Sequence, residues 1–259
     1  MACGLPFKVK AAERAQRLLS RKIVLKPLVP EPQVVAGLDA SYATIEGVEV
    51  GIGVAVLVEW SSSLRVSRCS VYLGRVCVPY VPGFLAFREL AVMVPAFNPL
   101  KDKADLVVVD GHGISHPRRF GIASHVGVIY NLPSVGVAKR RLAGREVEKE
   151  GRTYVVLGDE VVGIVIKKGS TKLYVSPGHL IDLETAFTIV ERITVKKLPE
   201  PTYRADEVSK IVKSALKRSV ILAPPSYLET CIIRVGNNAR IPPESVKVLR
   251  KLGFEVIKG

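Results

Sequence analysis

The chain has 259 residues, and its 38 Lys and Arg against 24 Asp and Glu give a formal net charge of +14. Hydrophobic residues make up 48%, which excludes disorder as the main state and turns the expectation toward acidic substrates or partners. No stretch reaches the roughly 18 consecutive apolar residues of a membrane-spanning helix, and the amino terminus is charged by Lys8 before any signal-peptide core could form, so a soluble cytoplasmic protein with no membrane partner is expected.

Ala11, Ala12, Ala15, Leu18 and Leu19 recur at helical spacing among basic residues and predict an amphipathic helix over 8–21. Prolines and charges at 26–32 end it. Three β-branched segments, at 34–39, 48–60 and 64–73, follow, the last two joined by a Ser-rich turn, which predicts an antiparallel meander. Beyond Pro79, Pro82 and Gly83, the run FLAFRELAVMVPAF predicts a helix; ADLVVVD predicts a buried strand closing at Asp110. A helix over 120–130, a strand over 133–138, strands at 155–157, 161–167 and 173–175, and helices over 183–193 and 205–216 complete the pattern. This order specifies an α/β fold, a mixed central sheet with helices on its faces. Pro224 and Pro225 mark a boundary between a main domain, 1–220, and a small C-terminal β-α-β extension, 221–259, of unassigned role. The four cysteines, Cys3, Cys69, Cys77 and Cys231, form no CxxC pair, so neither a zinc cage nor a disulfide framework is expected, only small buried hydrophobes. Gln occurs only at 16 and 33 while charged residues abound, a composition that resembles heat-adapted proteins.

Three acids stand out against apolar surroundings. Asp39 interrupts VVAGLDASYA, Asp110 closes ADLVVVDGHG, and Glu89 sits within the helical GFLAFREL. Each has an ordinary reading: a turn-initiating Asp for the first two, a solvated pair with Arg88 for the third. Taken together, and with the first and fourth strands adjacent, they would converge. Clustered carboxylates repel one another and are tolerable beside a divalent cation, and an all-oxygen set suits Mg²⁺, with Mn²⁺ able to substitute. On a basic protein such an ion points to phosphodiester hydrolysis. Acids in strand–helix–strand order are the arrangement of ribonuclease H-like nucleases.

The segments VAGLDASYA, PYVPGFLAFRE and DGHGISHPRRFGIASHVGVIYNLPSVGVAK, with SPGHLIDLETA and LPEPTYRAD in the same order, resemble the endonuclease V family from Val34 to Asp206. The resemblance implies a ribonuclease H-like fold, Mg²⁺ dependence, and cleavage of the second phosphodiester bond 3′ to a deaminated purine, typically hypoxanthine, as a first step of DNA repair. It assigns Asp39 and Asp110 to metal binding, Glu89 to the same catalytic site, and Asp206 of the PEPT motif to a further metal-binding position. Lys139 matches a lysine that contacts the scissile phosphate, where a cation offsets developing charge. Tyr80, held outward between prolines in PYVPG, matches an aromatic wedge inserted into the base stack. Gly83, Leu85, Gly121 and Ile122 match a pocket that receives the everted base largely through backbone groups, and His116 and His125 match family positions, His125 reading better as a structural residue within an apolar helix. Arg118, Arg119, Arg140 and Arg141 are candidates for phosphate contacts. Two departures stand: residues 221–259 have no counterpart in the family pattern, and PTYRAD replaces an expected PTRxAD.

The expected function is therefore a Mg²⁺-dependent endonuclease acting on deoxyinosine-containing DNA and giving 5′-phosphate ends. Two alternatives are carried: an endoribonuclease specific for inosine in RNA, and a non-catalytic lesion binder that keeps only the basic surface. Protein partners are not specified by the sequence.

Overall fold

The β-branched runs form strands β1 (Val34–Ile45), β2 (Val48–Trp60) and β3 (Leu64–Arg75), paired antiparallel in chain order. The structure is a computed structural model describing residues 6–169, 171–217 and 225–258. Strands β4 (Leu106–Asp110) and β5 (Ser134–Ala138) add in parallel on the far side of β1. An antiparallel set, β6 (Arg145–Lys149), β7 (Arg152–Leu157), β8 (Glu160–Lys168) and β9 (Thr171–His179), continues from β5, and β10 (Cys231–Val235) and β11 (Glu255–Lys258) add in parallel beyond β3. The result is one eleven-stranded mixed sheet, in the order β11-β10-β3-β2-β1-β4-β5-β9-β8-β7-β6.

Helices cover both faces. On one side α2 (Leu85–Phe97) and α3 (Ile122–Tyr130) bury Met93, Phe97, Ala123 and Val126 against Leu38, Ala55, Val107 and Val109, with α1 (Val9–Ser20) beside α3. On the other side lie α4 (Leu183–Ile193), packed on Val35, Val108 and Val135, and α5 (Glu200–Leu216), packed on Val54, Val56 and Val71. A further helix, α6 (Pro243–Lys251), rests on α5 through Leu249. Two glycines let the site-bearing helices approach: a Cβ on Gly53 of β2 would lie 2.1 Å from the Val92 carbonyl oxygen of α2, and one on Gly37 of β1 would lie 2.1 Å from the Pro201 carbonyl of α5. Among the described residues no helix is long and apolar enough to cross a membrane.

Several expectations need correction. β1 does not stop at Asp39 but runs to Ile45; what ends there is its pairing with β4, whose last partners are Leu38 and Val109. The helix expected over 205–216 begins at Glu200, because Pro201 falls in the first turn, where its missing N–H costs nothing. The expectation of no disulfide is overturned: Cys69 and Cys231 are bonded. They are 162 residues apart in sequence, and only the parallel register of β3 with β10 sets them opposite each other. Both are buried, as expected. Cys77 is likewise disulfide-bonded, while Cys3 and Pro224, with the boundary drawn at 220/221, lie outside the described residues. The tail does form a β-α-β unit, β10-α6-β11, and it extends the main sheet.

Candidate active site

Where the β1–β4 pairing ends, Asp39 and Asp110 stand on neighbouring strands. Asp39 is buried and faces α5, where Ser209 hydrogen-bonds its carboxyl and Asp206 adds charge. The Ser209 Oγ also lies 2.7 Å from Ser41 Oγ in a hydroxyl–hydroxyl hydrogen bond, fixing α5 to β1 beside Asp39. Burial, followed by the charges of Asp110 and Asp206, pushes the Asp39 carboxyl up to about 6. Glu89 enters from α2; burial, with Asp39 and Asp110 nearby, pushes its carboxyl up to about 8. Arg88 does not form the solvated pair with Glu89 that the sequence allowed. It donates instead to Glu49 and to the Val78 carbonyl at 2.6 Å each and lies 4.3 Å from the centre of the Tyr42 ring, and its charge only partly offsets what burial, Asp39 and Asp110 do to Glu89.

The four acids of the sequence reading thus share one electrostatic neighbourhood. Among the described residues, however, no three His, Cys, Asp or Glu side chains are arranged to hold a metal ion as they stand, so the closed cluster expected from the sequence is not formed. Ammonium groups take two of the carboxylates: Lys139 Nζ lies 3.0 Å from Asp110 Oδ2 and Lys210 Nζ 2.6 Å from Asp206 Oδ2. Like charges otherwise keep the acids apart. For Lys139 burial works against the charge, but Asp110, Asp206 and Asp39 outweigh it and raise its pKa.

Adjoining Glu89 and Asp110 is a cavity of about 160 Å³ whose lining includes Tyr80, Gly83, Leu85, His116, Gly121 and Ile122. The four residues expected to form the base pocket, Gly83, Leu85, Gly121 and Ile122, therefore border one space, with Tyr80 and His116 beside them. A closed apolar cavity of about 150 Å³ takes a benzene ring, so the space admits an aromatic ring. Tyr80 is 66% exposed at the margin, and Gly83 holds a left-handed φ of +79° where a Cβ would press on Arg118 at 3.0 Å.

His116 borders the cavity but its polar atoms are taken: Nε2 donates to the Gly83 carbonyl at 3.1 Å and Nδ1 accepts from the Arg118 amide at 3.2 Å. Burial and the Arg118 charge press its pKa down to about 4. Both ring nitrogens tie the loop together, through the Gly83 carbonyl and the Arg118 amide. His125, between Phe87 and Phe120, is pressed down to about 3 by burial, a structural residue. Arg119 pairs with Glu160 at 2.7 Å. The sequence reading passed over Gln16, whose fully buried amide reaches the Gly83 and Phe120 carbonyls behind the cavity. Its isolation among charged residues of an amphipathic helix was the available signal.

The Endonuclease V family model matches residues 17–207. An Endonuclease V of Aeropyrum pernix is 47% identical over 253 residues, covering 96% of each chain, and one of Ignicoccus hospitalis is 43% identical over 82% of this chain and 99% of its own. The family model stops short of the tail, as expected for 221–259, while the Aeropyrum match is too long to leave the tail out, so that relative carries a similar extension. Among solved structures, the Endonuclease V of Streptomyces avermitilis superposes with a TM-score of 0.71 at 32% identity over 84% of this chain and 97% of that one. That of Ciona intestinalis, in complex with a 24mer DNA containing an inosine followed by a ribo-adenosine, gives 0.69 at 26% identity over 78% of this chain and 96% of that one. These likenesses bear out the ribonuclease H-like mixed sheet flanked by helices. The chain belongs to the Endonuclease V family and is an endonuclease.

Proposed function

We propose that this endonuclease recognises inosine in DNA, everts the hypoxanthine base into the cavity between Gly83 and Ile122, and hydrolyses the second phosphodiester bond 3′ to it, opening repair in the cytoplasm. The observation that carries the reading is the adjacency of the cavity to the acidic group: Glu89 and Asp110 belong to both. The Ciona complex with inosine-containing DNA supports the choice of lesion.

The donor set is entirely oxygen, and burial with mutual repulsion raises Asp39 and Glu89, charge that a hard divalent cation would neutralise. The residues fit Mg²⁺, or Mn²⁺ in its place, held by Asp39, Asp110 and Asp206. When bound, such an ion supplies polarisation of the phosphoryl oxygen and a more acidic water. Tyr80 fills the gap left in the base stack. Eversion costs a few kcal/mol, least for a weakly paired base such as hypoxanthine, and selectivity begins there. Gly83, Leu85, Gly121 and Ile122 present backbone groups to the base edge. Glu89, beside Asp39 and Asp110, helps to position the metal or the attacking water. Lys139, drawn from Asp110 to the scissile phosphate, offsets charge in the transition state. The products carry 5′-phosphate and 3′-hydroxyl ends.

The ribo-adenosine that follows the inosine in the Ciona complex keeps RNA as a second substrate. End-labelled DNA and RNA strands with one inosine, incubated with Mg²⁺ or with chelator beside Asp110→Ala, decide the matter. A metal-dependent cut one nucleotide beyond the inosine, absent from the variant, supports the reading, and the better-cut strand names the sugar. Tight binding without cleavage of either strand would overturn it in favour of a lesion binder.

A further inference from the structure

We infer that Gln16 is a positioning residue for the base cavity: one amide from α1 sets the separation of its two backbone walls and thereby the enzyme's discrimination between bases. The inference rests on reading that cavity as the seat of the everted base.

Only Ala12 and Gln16 of α1 are buried, and Gln16 is fully so. An amide buried without partners is costly; besides His125 Nε2 at 3.5 Å, its partners belong to the two segments that flank the cavity. Gln16 Nε2 lies 3.4 Å from the Gly83 carbonyl on one wall and 3.4 Å from the Phe120 carbonyl on the other, so its N–H groups bridge the two. Its Oε1 accepts from Arg118 Nε at 2.6 Å, and Arg118 Nη2 donates in turn to the Gly83 carbonyl at 2.5 Å. A closed ring of Gln16, Arg118 and Gly83 results, tied to the second wall by the bond to Phe120.

The packing runs the same way. Phe7, just before α1, lies 6.0 Å from Phe84 and 5.7 Å from Phe87, and Arg118 stacks 4.1 Å above the Phe84 ring. The helix is a brace along the back of the pocket. Gln16 does not border the cavity itself, so it acts through Gly83 and Phe120 and not on the base. A pocket that reads a base through backbone groups has no side chain that can swing to recover a lost contact. Hydrogen bonds there tolerate a few tenths of an ångström, and misplacement by about 1 Å costs about a hundredfold. The distance between the walls is therefore the quantity that selectivity depends on.

The test uses the full-length enzyme on strands carrying inosine or, at the same position, adenine. Gln16→Met keeps the side-chain volume and removes every amide bond; Gln16→Glu keeps the acceptor for Arg118 and removes both wall-to-wall donors. In either variant the KM for the inosine strand is expected to rise, and the inosine-over-adenine ratio of kcat/KM to fall, by about tenfold or more, while kcat at saturation changes less than about threefold. Binding to an undamaged duplex stays unchanged, a result that general loosening of the fold does not give. Thermal melts identify which variant is folded at the assay temperature, and either suffices. Selectivity within about twofold of the parent in a folded variant would overturn the proposal while leaving the functional reading intact. A parent enzyme with no preference for inosine would overturn both.

Discussion

Asp39 and Glu89 are held above the ordinary carboxylate range, at about 6 and about 8, chiefly because burial penalises their charge. Between the ordinary range and those values the folded chain keeps protons that the unfolded chain has released, so these groups make stability fall as pH rises. The metal-free protein should therefore lose melting temperature from about pH 5 to about pH 8 through these groups. Mg²⁺ should restore it far more at pH 8 than at pH 5, and calorimetry at fixed ionic strength would show a flat difference if the assignment is wrong. Asp206→Asn is expected to cost about tenfold to a hundredfold in kcat, less than Asp110→Ala, because Asp206 is one contributor to a shared charge; single-turnover rates measure it. These acids were legible in the sequence because a carboxylate inside an apolar run is expensive enough to need a reason. Gln16 was not, because its partners, Gly83, Arg118 and Phe120, lie 67 or more residues away, and no local pattern announces a pairing at that separation. The turn of Arg88 toward Glu49 was hidden for the same cause.

At the level of elements, the acids depend on how closely two helices can lie on the sheet. Gly53 brings the backbone of α2, and with it Glu89, against β2. Gly53→Ala should destabilise by about 1–3 kcal/mol through overpacking and lower cleavage more than inosine binding, because the helix bearing Glu89 must shift. A denaturant melt paired with single-turnover cleavage reads both. The helices and the central strands were legible from period and apolar runs, as α2 and β4 show. Strand β6 was not: REVEK is charged along most of its length, which at the sheet's end is how an edge strand avoids unwanted pairing and in sequence looks like a loop. The continuation of β1 past Asp39 was missed because Ser41 and Thr44 dilute the apolar run while β2 still supplies partners as far as Val48.

Across the whole molecule, the bond between Cys69 and Cys231 joins the tail to the body over a span of 162 residues. Constraining so long a loop stabilises by about 5 kcal/mol in the chain-entropy account, and measured values commonly run 2–5. Replacing both cysteines by Ala should lower stability by about that amount, with kcat on inosine strands unchanged at temperatures where both proteins are folded; a denaturant melt of the variant beside the parent, both without reductant, checks it. The fold class was readable from element order alone, but the docking of the tail beside β3 is a fact of topology that no spacing between cysteines conveys.

That docking has a colloidal side. Strand β10 occupies the backbone donors and acceptors of β3 from Cys69 to Leu73, and β11 then becomes the outer strand, only four residues long and bearing Glu255 and Lys258. A chain cut back to residue 217 would keep every acid of the site yet present the longer β3 with open hydrogen-bonding groups, the template on which a second molecule adds. Light scattering of such a truncation should report growing particles while its freshly diluted fraction still cuts. The tail's contribution on this view is to keep a basic, β-rich enzyme dispersed at concentrations where its sheet would otherwise lengthen by borrowing from its neighbours.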